Sequence, residues 1–185
     1  FHRKAGIATH SISLIHDTSL WLPTGPIDGA RWNLTAGLGL NLRRGAPEST
    51  LLLADYRRYV RLGFLSAYAL RLQGRFSDGD DPTLFVLGGS QSLRLYPRRA
   101  QIGRNSALLN QEVRFPLLRG LALGLPMGLL ELPGVEGALF VDAGSAWEPG
   151  VEPDWRGAYG VGLRLGFGGY LVMRLDMGRR TDWHK

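Results

Sequence analysis

An alternation of apolar and polar side chains with a period of two residues is the strongest feature of the sequence. In the segment 31–43, the apolar positions are Trp32, Leu34, Ala36, Leu38, Leu40 and Leu42. The positions between them hold Arg31, Asn33, Thr35, Gly37, Gly39, Asn41 and Arg43. Because successive residues of a β-strand point to opposite faces, this segment predicts a strand with one apolar and one polar or small face.

The same pattern recurs along the chain, less regularly in the first, fifth and sixth segments. The predicted strands are 7–15, 31–43, 51–62, 66–76, 107–115, 137–147, 159–167 and 170–178. Each has roughly 9–13 residues, against about 5–6 for a strand of a typical soluble protein. Links rich in proline, glycine and aspartate separate most of them. The sequence therefore predicts an all-β fold, an antiparallel up-and-down sheet of roughly eight long strands.

Two architectures are compatible with this alternation. A soluble sandwich would bury the apolar faces and leave the polar faces in water. Those faces would carry mainly glycine and arginine, since the chain has 26 glycines and its 22 basic residues include few lysines. Soluble surfaces usually mix both charge signs freely, whereas a membrane barrel turns its apolar side to lipid and its polar side inward. The pattern favours a transmembrane β-barrel and leaves the sandwich as the alternative.

Several other classes of protein are disfavoured by the composition. No apolar run is long enough for a transmembrane helix, which needs about 20 residues. Cysteine is absent, so a disulfide framework and a thiol nucleophile are excluded. The net charge is +6, but the arginines recur along the whole chain instead of forming one block. We predict no enzyme activity, no cofactor, no metal site and no nucleic-acid partner.

Three motifs follow one another along the chain. The first is Leu-Gly-Gly-Ser-Gln-Ser-Leu-Arg-Leu-Tyr at 87–96, the second is Asn-Gln-Glu-Val-Arg-Phe-Pro-Leu at 110–117, and the third is Leu-Phe-Val-Asp-Ala-Gly-Ser-Ala-Trp at 139–147. Their order resembles that of the bacterial surface antigen family, and the first motif is similar to that family's Gly-Gly…Leu-Arg-Gly-Tyr/Phe signature. The family includes the central subunit of the barrel assembly machinery and the two-partner-secretion translocators.

The resemblance implies a specific architecture and location. Residues 1–185 would form the C-terminal part of an outer-membrane β-barrel domain, roughly eight strands of a barrel of about sixteen. On this alignment the chain is a fragment, which lacks the upstream domain and the last strand. The expected location is the cell outer membrane. The expected partners are outer-membrane lipid, unfolded or exported polypeptides and periplasmic accessory proteins.

The resemblance also implies a site in a loop that enters the barrel lumen. Its residues are Gly88, Gly89, Leu93, Arg94 and Tyr96. The guanidinium of Arg94 is expected to reach a lumen carboxylate, with Asp142 as the first candidate and Glu112 as the second. Arginine suits this role because its planar fork bonds a carboxylate bidentately and stays charged. The chain departs from the signature at Leu95, where the family has glycine.

Three functions follow from these expectations. The leading one is a non-enzymatic barrel that inserts or translocates polypeptides at the outer membrane. The second is a barrel that serves as a membrane anchor or pore for an upstream domain, such as a hydrolase. The third, which follows from the sandwich alternative, is a soluble β-protein that binds an anionic ligand.

Overall fold

A computed structural model describes residues 7–22, 24–42, 46–125, 128–132, 134–167 and 171–182. Over these residues the chain is built from thirteen β-strands, numbered here in chain order, and contains no helix. No segment of the described ranges forms a helix that could cross a membrane. The prediction of an all-β fold is therefore confirmed for this part of the chain.

Eight of the strands are long and five are short. The long strands are β1 (Ile7–Asp17), β3 (Gly25–Asn41), β4 (Ala46–Gly63), β5 (Ser66–Gly79), β8 (Asn105–Leu118), β11 (Val135–Trp147), β12 (Arg156–Phe167) and β13 (Leu171–Asp182). The short strands are β2 (Leu20–Leu22), β6 (Phe85–Leu87), β7 (Gln101–Gly103), β9 (Leu121–Leu125) and β10 (Gly128–Leu132). Each predicted segment corresponds to one long strand, and most of the long strands extend beyond their predicted ends.

The long strands form one antiparallel sheet in the order β1-β3-β4-β5-β8-β11-β12-β13, and β2 adds to the start of β3. Each long strand pairs with the next long strand along the chain, which is the predicted up-and-down meander. The short strands β6 and β7 pair within the connection between β5 and β8. Similarly, β9 and β10 pair within the connection between β8 and β11. These two small hairpins were not predicted, since their runs are too short to show a clear period.

The sheet is open over the described residues, with β1 and β13 as its two edges. A partial barrel leaves its first and last strands without a neighbour on one side, and β1 and β13 correspond to the first and last of the predicted strands. Eight strands of a wide barrel cannot close on themselves at the larger radius, so an open sheet agrees with the expectation of a partial barrel. The structure shows an antiparallel sheet but no closed barrel.

The two faces of the sheet differ in exposure as the alternation predicted. Among the leucines expected on the apolar face, Leu34, Leu38, Leu163, Leu171 and Leu175 are exposed. Leu165 is half-buried. On the opposite face Asp142 is completely buried, and Glu112 and Arg114 are nearly so. In the described structure no second sheet covers the leucines, which excludes a two-sheet sandwich formed by these residues.

The buried apolar side chains lie on the polar face of the sheet, under the connection between β5 and β8. One cluster consists of Leu93, Tyr96, Phe140 and Ala158, and a second consists of Leu87, Leu108 and Ala146. In both clusters, side chains of the connection pack against side chains of the sheet. The interior of this protein therefore lies between one loop and one face of the sheet, and the larger apolar surface lies outside.

Candidate functional site

The site is carried by the long connection between β5 and β8, which we call the inward loop (residues 80–104). Its base is the hairpin of β6 and β7. Beyond this hairpin, Gly88 and Gly89 have φ angles of 122° and 89°, which side chains with a Cβ rarely adopt. The backbone N–H of Gly89 donates to the carbonyl of Tyr96 at 3.0 Å, and this bond closes the turn. The paired glycines thus allow the chain to reverse and present residues 90–96 to the sheet.

Arg94 makes the central contacts between the inward loop and the sheet. Its Nε and Nη2 atoms donate to the two oxygens of Asp142 on β11, each at 2.6 Å. Its Nη1 atom donates to Oε2 of Glu112 on β8 at 2.5 Å. The backbone N–H of Arg94 also donates to Asp142, at 3.1 Å. Both carboxylates expected from the resemblance are therefore bound by the same guanidinium, with bidentate geometry at Asp142.

This ion cluster is buried and its polar atoms are well paired. Arg94 is 4% exposed and Asp142 is 0% exposed. The amide of Asn110 donates to Asp142 at 2.7 Å, and the Phe140 ring lies 3.9 Å from the Arg94 guanidinium carbon. Burial alone would lower the pKa of Arg94. The hydrogen bonds and negative charges of Asp142 and Glu112 outweigh this effect, so the pKa of Arg94 lies above its usual value. Arg94 therefore stays charged whenever the protein is folded.

Glu112 is shared by several arginines from different elements. Besides Arg94, Arg164 on β12 donates to it directly. Arg174 on β13 lies 3.7 Å from Glu112, and Arg114 on β8 lies 3.6 Å away. One carboxylate thus collects four guanidinium groups, from the inward loop and from three strands. A buried carboxylate without a cationic partner would lower the stability of the fold, because it has lost its hydration. At Glu112 the four arginines supply the compensating positive charge.

Further hydrogen bonds connect the inward loop to four strands. Arg71 on β5 donates to the carbonyl of Gln91 at 3.0 Å, and Asn110 on β8 donates to that of Ser92 at 2.7 Å. The hydroxyl of Tyr96 donates to Gly157 on β12 at 3.1 Å. Arg180 on β13 donates to the carbonyl of Leu95 at 2.7 Å. Together with Asp142 on β11, these contacts connect the loop to five consecutive strands of the sheet.

The structure brings all seven residues of the expected site into one region. Gly88 and Gly89 form the turn, Leu93 and Tyr96 pack in the buried cluster, and Arg94 binds Asp142 and Glu112. Residues outside the expected set contribute equally direct contacts; they are Arg71, Asn110, Phe140, Arg164, Arg174 and Arg180. Alternation placed several of them on the polar face. These side chains meet at one site only because of the register between strands that are distant in sequence, and a local sequence pattern does not predict that register.

The interactions at this site are ion pairs and hydrogen bonds between the inward loop and the sheet. Both central carboxylates accept hydrogen bonds from guanidinium groups, so neither is placed to transfer a proton to a substrate. Among the described residues, no group of three or more metal-ligating side chains is close enough to hold a metal ion. The arrangement fixes the position of a loop against a sheet.

No protein-family model matches the chain, and no curated protein matches it. The resemblance to the bacterial surface antigen family therefore stays a prediction, which rests on the three motifs and their order along the chain.

Leu95 shows how the loop accommodates the departure from the signature. Its φ angle is 68°, in the left-handed region that glycine adopts without cost. A residue with a Cβ loses about 1–2 kcal/mol there. The side chain of Leu95 packs against the buried cluster of Leu93, Tyr96, Phe140 and Ala158, which offsets part of this cost. Leu95 thus adopts a backbone conformation that glycine would reach without strain.

A comparison of two variants measures this backbone cost. Leu95→Ala and Leu95→Gly both remove the packing contact, but only glycine also removes the strained Cβ. We expect Leu95→Gly to be more stable than Leu95→Ala by about 1 kcal/mol, measured as the free energy of urea unfolding. Equal stability of the two variants, or a less stable glycine variant, would contradict the account of the loop.

Removal of the Arg94 side chain tests the ion cluster. In Arg94→Ala, the buried Asp142 loses its charge partner, and we expect a loss of about 3–5 kcal/mol in unfolding free energy. The inward loop should become sensitive to limited proteolysis before the sheet unfolds. Arg98→Ala is the matched control, since Arg98 is an exposed arginine of the same loop. An Arg94→Ala loop as resistant as that of the control would show that the ion cluster does not hold it.

Proposed function

We propose that the chain forms part of the wall of an outer-membrane β-barrel of the surface antigen type, with the inward loop inside its lumen. The observation that carries the proposal is the distribution of side chains on the sheet. The exposed face is lined mainly by large apolar residues, whereas the face covered by the loop holds most of the charged residues of the long strands. A soluble protein rarely leaves so wide an apolar surface uncovered. In a membrane, lipid covers such a surface.

Strand length supports the same proposal. The long strands have between 11 residues, in β1, and 18 residues, in β4. A tilted strand needs about 9–11 residues to cross the hydrocarbon core, so every long strand is sufficient. Within a bilayer, unpaired backbone groups at a sheet edge are very costly. In the proposed barrel, further strands therefore pair with the edges of β1 and β13.

The proposed activity is the insertion or translocation of polypeptides, without a chemical step. Two features support it: the three motifs that resemble the surface antigen family, and the attachment of the inward loop to five strands. A loop anchored in this way stiffens one side of the barrel and leaves the rest of the wall free to move. Polypeptides could then pass through the lumen or add to a strand edge by backbone hydrogen bonding. The proposed partners are unfolded or exported polypeptides and outer-membrane lipid.

The membrane part of the proposal predicts that an added charge costs much more stability at one residue than at its neighbour in sequence. Leu34→Arg places a charge on the exposed apolar face, and we expect a cost of about 2–4 kcal/mol if this residue lies near the bilayer centre. Asn33→Arg places the same charge on the polar face, where the expected cost is small. The measurement is urea unfolding of the protein in phospholipid vesicles, followed by tryptophan fluorescence. Equal costs for the two variants would contradict the assignment of the apolar face to lipid.

The transport part of the proposal is tested in cells that depend on this protein. We expect Arg94→Ala to reach the outer membrane at close to the normal level, yet to reduce the amount of surface or secreted polypeptides severalfold. Quantitative proteomics of the membrane and secreted fractions measures both. Arg98→Ala again serves as the control. If loss of the protein leaves every surface and secreted polypeptide unchanged, the translocation proposal is wrong, and the role of an anchor or pore for an attached domain is favoured.

A further inference from the structure

A polar cavity of about 260 Å³ lies between the inward loop and the polar face of the sheet. Trp21 and Pro26, from the connection between β1 and β3 and the start of β3, contribute to its lining, as do Ser90, Gln91 and Ser92 of the inward loop. Its charged lining is dominated by arginine. The six arginines are Arg57, Arg71, Arg94, Arg114, Arg164 and Arg174.

The charges around this cavity do not balance. Glu112 is the one carboxylate among its lining residues. Three more carboxylates, those of Asp55, Asp142 and Asp176, form ion pairs with the lining arginines. Among the described residues, the six lining arginines thus form ion pairs with four carboxylates, so the guanidinium groups outnumber their ion-pair partners by two. Charge of one sign concentrated in a cavity attracts a counter-ion strongly, because its walls limit screening by water.

Two guanidinium donors at the cavity also lack partners. The Nε atoms of Arg114 and Arg164 are buried and make no hydrogen bond within the described structure. The Arg114 side chain is only 6% exposed, and its Nε lies 3.6 Å from Glu112, too far for a hydrogen bond. Each Nε atom is itself inaccessible to solvent, so it marks a buried guanidinium group with unsatisfied hydrogen-bonding capacity and not a donor aimed into the cavity. A buried charge that is only partly compensated is costly, and an anion in the cavity would lower that cost through its opposite charge.

We propose that this cavity binds a phosphate group. Free phosphate carries up to two negative charges at neutral pH, and the phosphodiester of a lipid headgroup carries one, so either would neutralise part or all of the excess positive charge. Its oxygens accept the paired donors of arginine, the residue that binds phosphate with bidentate geometry. The cavity is smaller than the roughly 300–1,000 Å³ of sites for drug-sized ligands, so it fits a phosphate with ordered water rather than a large molecule. The phosphate is either a free ion or the headgroup of a lipid.

The phosphate site is independent of polypeptide transport, since it rests on the cavity alone. A phosphate bound in the cavity would contact both the inward loop and the hairpin of β2 and β3, and so would join them. The arginines that outnumber their carboxylate partners would then serve to hold this phosphate. Arg94 would then hold the loop through carboxylates, and the remaining arginines would hold it through the anion.

Phosphate binding by the intact, detergent-solubilised protein tests this proposal. The probes are inorganic phosphate and micelles doped with phosphatidylglycerol, and binding is followed by phosphorus NMR line width and calorimetry. Two pairs of arginines, each pair on one strand, provide matched variants. Arg57→Gln and Arg174→Gln remove guanidinium groups that line the cavity. Arg58→Gln and Arg179→Gln remove the same charge from exposed positions of the same strands, β4 and β13.

We expect saturable binding that weakens by about tenfold or more in each cavity variant and is unchanged in the two controls. Circular dichroism identifies any variant that fails to fold, and the second pair then carries the test. Saturation by inorganic phosphate supports a free ion, and saturation by phosphatidylglycerol micelles alone supports a lipid headgroup. If neither probe binds saturably, or if the control variants weaken binding as much as the cavity variants, the proposal is wrong.

Discussion

The buried ion cluster of Arg94, Asp142 and Glu112 connects the two halves of this protein's interior, the inward loop and the polar face of the sheet. Its guanidinium binds carboxylates from two adjacent strands, β8 and β11. Both carboxylates are almost inaccessible to water, and each would be costly without a cationic partner. The buried apolar clusters form only where the loop lies against the sheet, so their packing depends on the same contacts.

The position of the loop explains why a single sheet can be stable with one uncovered apolar face. In a sandwich, a second sheet buries the apolar side. Here the loop covers the polar side, where Leu93 and Tyr96 pack beside Arg94, and the leucines of the other face stay exposed. In the proposed membrane location, lipid would cover these leucines. The ion cluster and the exposed leucines both follow from one distribution of side chains, in which the charged residues lie under the loop and the large apolar residues lie outside.

Local sequence predicted the long strands because a period of two is visible within a single strand. The alternation of Trp32, Leu34 and Leu38 is one example, and it gave the correct face for each of these residues. The contact of Arg94 with Asp142 was expected from the motifs that resemble the surface antigen family. The gathering of Arg164 and Arg174 at Glu112 was not expected, since it depends on how β12 and β13 are aligned with β8. The family's glycine at the position of Leu95 pointed to close backbone approach or a positive φ angle, but did not decide between them, because the conformation is imposed by the contacts of the whole loop.

The environment of the apolar face is the central claim, and site-directed spin labelling measures it most directly. The chain has no cysteine, so single labels at Leu38→Cys and Leu175→Cys report only those positions. In vesicles, the account predicts that both labels relax strongly with dissolved oxygen and weakly with a water-soluble nickel complex. A label at Gln73→Cys, on the polar face, should show a smaller preference for oxygen. Strong relaxation by nickel at Leu38 and Leu175 would place the apolar face in water and contradict the account.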